Sequence, residues 1–182
     1  MSDQSESKPR FTVNIALTSM FTALWIALNL TVAPISFSLT GLPVIHSVSI
    51  FFTLILVIWA TGQFGAATFV GVIGSAIVLV AGGPLPVLGF VPAAILFDLL
   101  FLINHHKINT KRTNVAMTII VSIVCAYVAA VANGFIILNF APFFTLTLWA
   151  GFVVLGGVIG VALALPIIRV LEKAQVKRIE TE

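Results

Sequence analysis

Charge is what this chain lacks. From Phe11 to Ile168 only Asp98, Lys107, Lys111 and Arg112 are charged, and a domain folded in water cannot cover its core with so few polar side chains. That deficit excludes a soluble domain. Cysteine is nearly absent too: Cys125 stands alone in an apolar run, so the chain can form no intrachain disulfide and has no thiolate cluster for a metal. The vocabulary of catalysis is also missing. There is no glycine-rich phosphate loop, no His-Glu-x-x-His, no Gly-x-Ser-x-Gly and no carboxylate pair suited to acid and base work. The expectation is a protein that is not an enzyme, hydrolyses no ATP itself and carries no cofactor or metal. No repeat of one half in the other is evident, as a transporter built from inverted repeats would show.

What the chain has is apolar length. Of its 182 residues 60% are hydrophobic and 8% charged, with a mean hydropathy of +1.18. A spanning helix needs roughly 20 such residues, so at most six or seven spans fit and no second domain does. The fold class expected is all-α, an integral membrane protein of six transmembrane helices. Glycine, proline and charge mark their limits. The first runs from Phe11 to Ala33, where Pro34, lacking an amide hydrogen, stops it. A first loop follows from Ile35 to Pro43, then a second span from Val44 to Thr61. The turn Gly62-Gln63 is so short that the second and third spans should pack side by side. The third ends near Ala81, before Gly82-Gly83-Pro84-Leu85-Pro86. The fourth covers Val87 to Ile103, the fifth Thr113 to Val131, and the sixth Leu146 to Val170, after a break at Asn133-Gly134 and Asn139 to Pro142.

Basic residues orient the bundle, because cytoplasmic loops hold an excess of Lys and Arg. Lys8 and Arg10 precede the first span, Lys107, Lys111 and Arg112 join the fourth to the fifth, and Arg169, Lys173, Lys177 and Arg178 end the sixth. With six spans all three groups share one side, which gives N-in and C-in. Residues 1–10 are then a cytoplasmic tail, 11–170 the transmembrane domain and 171–182 a second cytoplasmic tail. The first apolar stretch is too long for a secretory signal and no cleavage site follows it.

Polar and aromatic residues collect toward the opposite, outer side: Asn29, Phe37, Thr40, His46 beside Ser47 and Ser49, Tyr127, Asn133, Asn139, Thr145 and Trp149. An apolar pocket with a few donors and acceptors is how small molecules are held, so Asn29, Phe37, His46, Tyr127, Asn133, Asn139 and Trp149 are the candidate substrate-binding residues. Trp59 and Trp149 also suit the aromatic belt at a membrane interface. Ser19, Ala23 and Ala27 recur every four residues, stacking small side chains on one face where another helix can approach closely, inside this protein or from a partner. Gly71, Gly74, Gly156, Gly157 and Gly160 read as sites of tight internal packing. Asp98 is the one acidic residue inside a span, and a charge at mid-membrane costs about 2.5–3.5 kcal/mol on insertion scales. It is either a proton or ion relay or a structural carboxyl that is protonated or hydrogen-bonded to a neighbouring helix. With no second titratable group beyond His46 at a mouth, the structural role is preferred. His105 and His106 are adjacent, so their side chains diverge by about 100° on a helix and do not form a metal pair.

The six-span plan, the small-residue stripe, the long first outer loop and the run Ala60-Thr61-Gly62-Gln63-Phe64-Gly65-Ala66-Ala67 through Val70-Gly71-Val72-Ile73-Gly74 resemble the substrate-binding S component of energy-coupling factor (ECF) transporters. The resemblance covers nearly the whole chain. It implies a multi-pass subunit of the cell membrane that captures a vitamin, a vitamin precursor or another micronutrient in an outward pocket. It also implies partners, a transmembrane coupling subunit and two ATPases, with the S component toppling to carry its ligand inward. The family's Ala-x-x-x-Ala docking pattern matches Ala23 and Ala27, and Ser19 extends it by a turn, making these three the expected coupling-subunit interface. Members that take nickel or cobalt begin Met-His, whereas this chain begins Met1-Ser2-Asp3-Gln4, which argues against a metal ligand. Lacking cations in its outer half, the pocket suits a flat, uncharged or weakly charged ring. Two other classes stay open: a self-sufficient secondary transporter or channel that uses Asp98, and a non-catalytic membrane scaffold subunit.

Overall fold

The computed structural model describes residues 7–103, 108, 112–137 and 143–174. Among these residues every regular element is helical. In chain order they are α1 (Ser7–Thr40), α2 (Val44–Thr61), α3 (Ala66–Val80), a short 3-10 turn (Leu85–Gly89), α4 (Phe90–Leu102), α5 (Arg112–Ile137) and α6 (Phe143–Lys173). Five spans, with the 3-10 turn and α4 counted as one, are long and apolar enough to cross a membrane, while α3 has 15 residues. At 1.5 Å per residue α3 is about 22 Å long, short of the roughly 30 Å of hydrocarbon. The chain is a multi-pass helical membrane protein. Its outward helix faces carry Phe11, Met20, Ile77, Leu99, Ile120, Leu155 and Leu163, all exposed, a continuous apolar surface that suits lipid and not water.

The helices close a ring in the order α1, α3, α4, α5, α6, α2, and α2 also touches α3 and α4. The most buried of them is α2, whose residues from Ser49 to Trp59 are almost all enclosed. It fills the middle of the bundle because the glycines of α6 let it in. A Cβ on Gly156 would lie 2.5 Å from the Val44 carbonyl oxygen, and one on Gly160 2.9 Å from that of Val48. On α3, Gly71 gives room to Ala94 of α4 and Gly74 to the Trp25 ring of α1. These glycines serve internal packing, as the sequence suggests.

Three expectations need correction. α1 does not stop at Pro34 but runs six residues further, to Thr40. Proline there denies a donor to one carbonyl only, that of Leu30, a loss transmembrane helices tolerate. Hydroxyls reinforce the added turns, with Ser38 Oγ donating to the Ile35 carbonyl (3.0 Å) and Thr40 Oγ1 to that of Ser36 (2.8 Å). The long first loop therefore shrinks to Gly41, Leu42 and Pro43. α5 likewise passes through Asn133-Gly134 to Ile137, because Gly134 is buried where Leu146 of α6 presses in. Finally, α2 and α3 do not lie side by side. Gly62 (φ 60°) and Gly65 (φ 90°) both adopt left-handed backbone, which only glycine takes readily, and the turn swings α3 away to pack along α1 and α4.

Candidate functional site

Short connections between packed helices make neighbours in sequence antiparallel, so among the described residues one end of the bundle collects Ser7, Thr61, Leu102, Arg112 and Lys173. The other is here called the far end. Toward the far end four elements bring polar groups into the interior. His46, two residues into α2, is fully buried and its Nε2 is hydrogen-bonded to Oδ1 of buried Asn29 at 2.7 Å. Asn29 Nδ2 in turn donates to the Trp25 carbonyl at 2.9 Å. Phe37 meets the imidazole edge-on, ring centres 6.1 Å apart, and stacks on Trp149 of α6 at 6.2 Å and 14°. Phe90, the first residue of α4, also meets His46 edge-on, ring centres 5.3 Å apart. Asn133 of α5 lies against Gly89, where a Cβ would collide with its side-chain amide.

Polar atoms in this cluster are left without partners. His46 Nδ1, Asn133 Oδ1, Trp149 Nε1 and Ser47 Oγ are all enclosed and unbonded. Each such group costs about 1–3 kcal/mol, and native interiors contain few of them. His46 Nδ1 and Trp149 Nε1 belong to rings of the aromatic cage itself. Ser49 is different, its hydroxyl being spent on the His46 carbonyl at 2.8 Å.

Of the seven candidate binding residues, Asn29, Phe37, His46 and Trp149 come together directly, and Asn133 joins them through Gly89-Phe90. Tyr127 does not. It is 54% exposed and lines a separate cavity of about 200 Å³ between α5 and α6, with Val131, Gly134, Leu146 and Ala150. Its position on α5 puts it on the outer face, which sequence spacing alone cannot assign. Asn139, His105 and His106 lie outside the described residues, and Thr40 and Thr145 are exposed. Sequence reasoning missed Phe90 and Gly89. Their signal was positional, since they open α4 just after the proline break and so sit at the far end.

Gly89 gives a sharp test of the cluster. Gly89→Ala displaces the Asn133 amide, and ligand affinity is expected to fall about tenfold or more, the worth of one hydrogen bond and its packing; isothermal titration of the variant checks it, and unchanged affinity would remove Asn133 from the site.

Two further features frame the cluster. Ser19, Ala23 and Ala27 are all exposed on the outside of α1, so the stripe is not consumed by internal packing. Asp98, fully buried, accepts a hydrogen bond from the Thr68 N–H at 2.6 Å. Thr68 stands in the first turn of α3, whose unpaired amides and positive dipole end attract a carboxylate. The carboxyl is thus bonded to a neighbouring helix. Among the described residues no three of His, Cys, Asp and Glu gather as a metal site. Comparison with protein-family models, curated proteins and solved structures finds no match.

Proposed function

We propose that this chain is the membrane-embedded substrate-binding subunit of an ECF-type importer of the cell membrane. It takes up a vitamin, a vitamin precursor or a similar small ring compound at the outer face and hands it inward through a transmembrane coupling subunit driven by two separate ATPases. The observation that carries the reading is the cage of Phe37, His46, Phe90 and Trp149, with buried polar atoms that lack partners. Flat rings stack in such a cage, and their heteroatoms supply the missing hydrogen bonds. With both termini and the basic clusters inside, the cage faces out.

The exposed stripe of Ser19, Ala23 and Ala27 supports the partner half of the reading. A helix of the coupling subunit can lie close against small residues, and the nearly uncharged helices let the whole subunit tilt in lipid at little cost.

Fluorescence titration of the purified protein against a vitamin panel tests ligand capture, since Trp149 stacks within the cage. Saturable quenching that Trp149→Phe abolishes is the expected result; no response to any vitamin, and no small molecule co-purifying, would end the proposal. For the partner, Ala23→Leu with Ala27→Leu is expected to leave ligand affinity unchanged while cutting co-purification of the ATPase subunits at least tenfold. Undiminished co-purification would place the contact elsewhere.

A further inference from the structure

We infer that the ligand of this cage is a neutral heteroaromatic ring that donates a hydrogen bond, from a ring N–H or an exocyclic amino or hydroxyl group, to Nδ1 of His46. The inference rests on the ligand-capture reading above and specifies its chemistry. The polarity of the site follows from two bonds in series. Asn29 Nδ2 donates to the Trp25 carbonyl, and a carbonyl oxygen only accepts, so the Asn29 amide is fixed with its own oxygen toward His46. That oxygen also only accepts. Nε2 of His46, 2.7 Å away, must therefore carry the proton.

A neutral imidazole has one N–H. With that hydrogen on Nε2, Nδ1 presents a lone pair, and it does so fully buried with no partner. The site thus offers an acceptor and requires a donor. Asn133 Oδ1 is a second unmatched acceptor, and Trp149 Nε1–H an unmatched donor. Charge is excluded by the surroundings. In sequence, no Asp, Glu, Lys or Arg lies within ten residues of Asn29, His46, Asn133 or Trp149, and Asp98 stands eight residues along α4 from Phe90. An ion would enter an apolar cage with nothing to balance it.

Asn29 becomes a positioning residue: it touches the ring that touches the ligand, and selects its tautomer. A fully N-alkylated ring of the same shape would stack equally well and still be rejected, because Nδ1 would stay buried without its bond.

The test uses the full chain in lipid nanodiscs with 15N-labelled histidine, the His46 signals being assigned by their loss in His46→Gln. Two pairs of probes are added, uracil with 1,3-dimethyluracil and benzimidazole with 1-methylbenzimidazole, while Trp149 fluorescence is followed. The expected result is a bare Nδ1 and a protonated Nε2 before ligand. An N–H probe then quenches Trp149 and moves the Nδ1 resonance, and its methylated partner binds at least tenfold more weakly. Asn29→Leu, which removes the acceptor, is expected to mix the tautomers and weaken the N–H probe by a similar factor, whereas His46→Gln, with an amide oxygen of its own, retains part of the binding. A proton found on Nδ1, equal binding by both members of each pair, or no binding by any of the four overturns the inference. Quenching that leaves Nδ1 unmoved does so too, yet preserves ligand capture; silence from the wider vitamin panel as well removes both.

Discussion

Gly156→Leu is expected to abolish the folded protein in the membrane, the largest effect of any single change in the bundle. A side chain there enters the seam where α6 backbone meets α2 backbone, with the Val44 carbonyl oxygen 2.5 Å and the Ser47 Cβ 2.6 Å from the first added atom. Neither neighbour can swing aside, because the oxygen is main chain and Ser47 is fully buried. Overpacking commonly costs 1–3 kcal/mol even where side chains can yield, so about 3 kcal/mol or more is expected here. Gly151→Leu is the control: nothing lies within 4 Å of a Cβ at that position on the same helix. Thermal unfolding in detergent should separate the pair by many degrees, and a Gly156 variant melting with the wild type would mean that α2 and α6 do not share this seam.

The second large effect is expected at Asp98, where two substitutions part company. Asp98→Leu strips the Thr68 amide of its acceptor inside the membrane, leaving the first turn of α3 unsatisfied. Leaving a buried donor unsatisfied costs about 1–3 kcal/mol, a large share of a marginal stability. Asp98→Asn keeps an oxygen that can accept from Thr68, so folding and substrate uptake should survive with at most a modest loss. A transporter that moves protons through Asp98 predicts the opposite for asparagine, namely intact folding with uptake abolished. Measuring uptake and melting temperature for both variants decides between the roles. The geometry favours the structural one, since Asp98 Oδ2 already accepts the Thr68 N–H at a helix N-terminus, 2.6 Å away.

Much of this architecture was legible because lipid is an exacting solvent. Apolar runs of spanning length and breaks rich in glycine and proline locate helices with few alternatives, and the limits of α2 coincide with those read from sequence. Pro34 misled for a definite reason. Proline reports the loss of one donor, but whether a helix ends there depends on what else supports the next turns, and Ser36, Ser38 and Thr40 do so. The consequence reaches the site, since those extra turns carry Phe37 to His46 and Trp149. Asn133-Gly134 misled similarly, a break signal that instead makes room for Leu146.

The candidate binding residues divide along the same line. Asn29, His46, Asn133 and Trp149 stood out as scarce polar or aromatic groups at one end of apolar helices, yet Tyr127 met that criterion and faces outward. What sequence by itself determined is the solvent: a chain so poor in charge and so rich in long apolar runs is driven into a bilayer as a set of helices whose backbones satisfy themselves. Which faces of those helices meet was decided only in three dimensions. A helix nonpolar all round has no hydrophobic stripe to choose its inner side, so backbone contact at glycines and a few buried hydrogen bonds, such as His46 to Asn29 and Asp98 to Thr68, choose it instead.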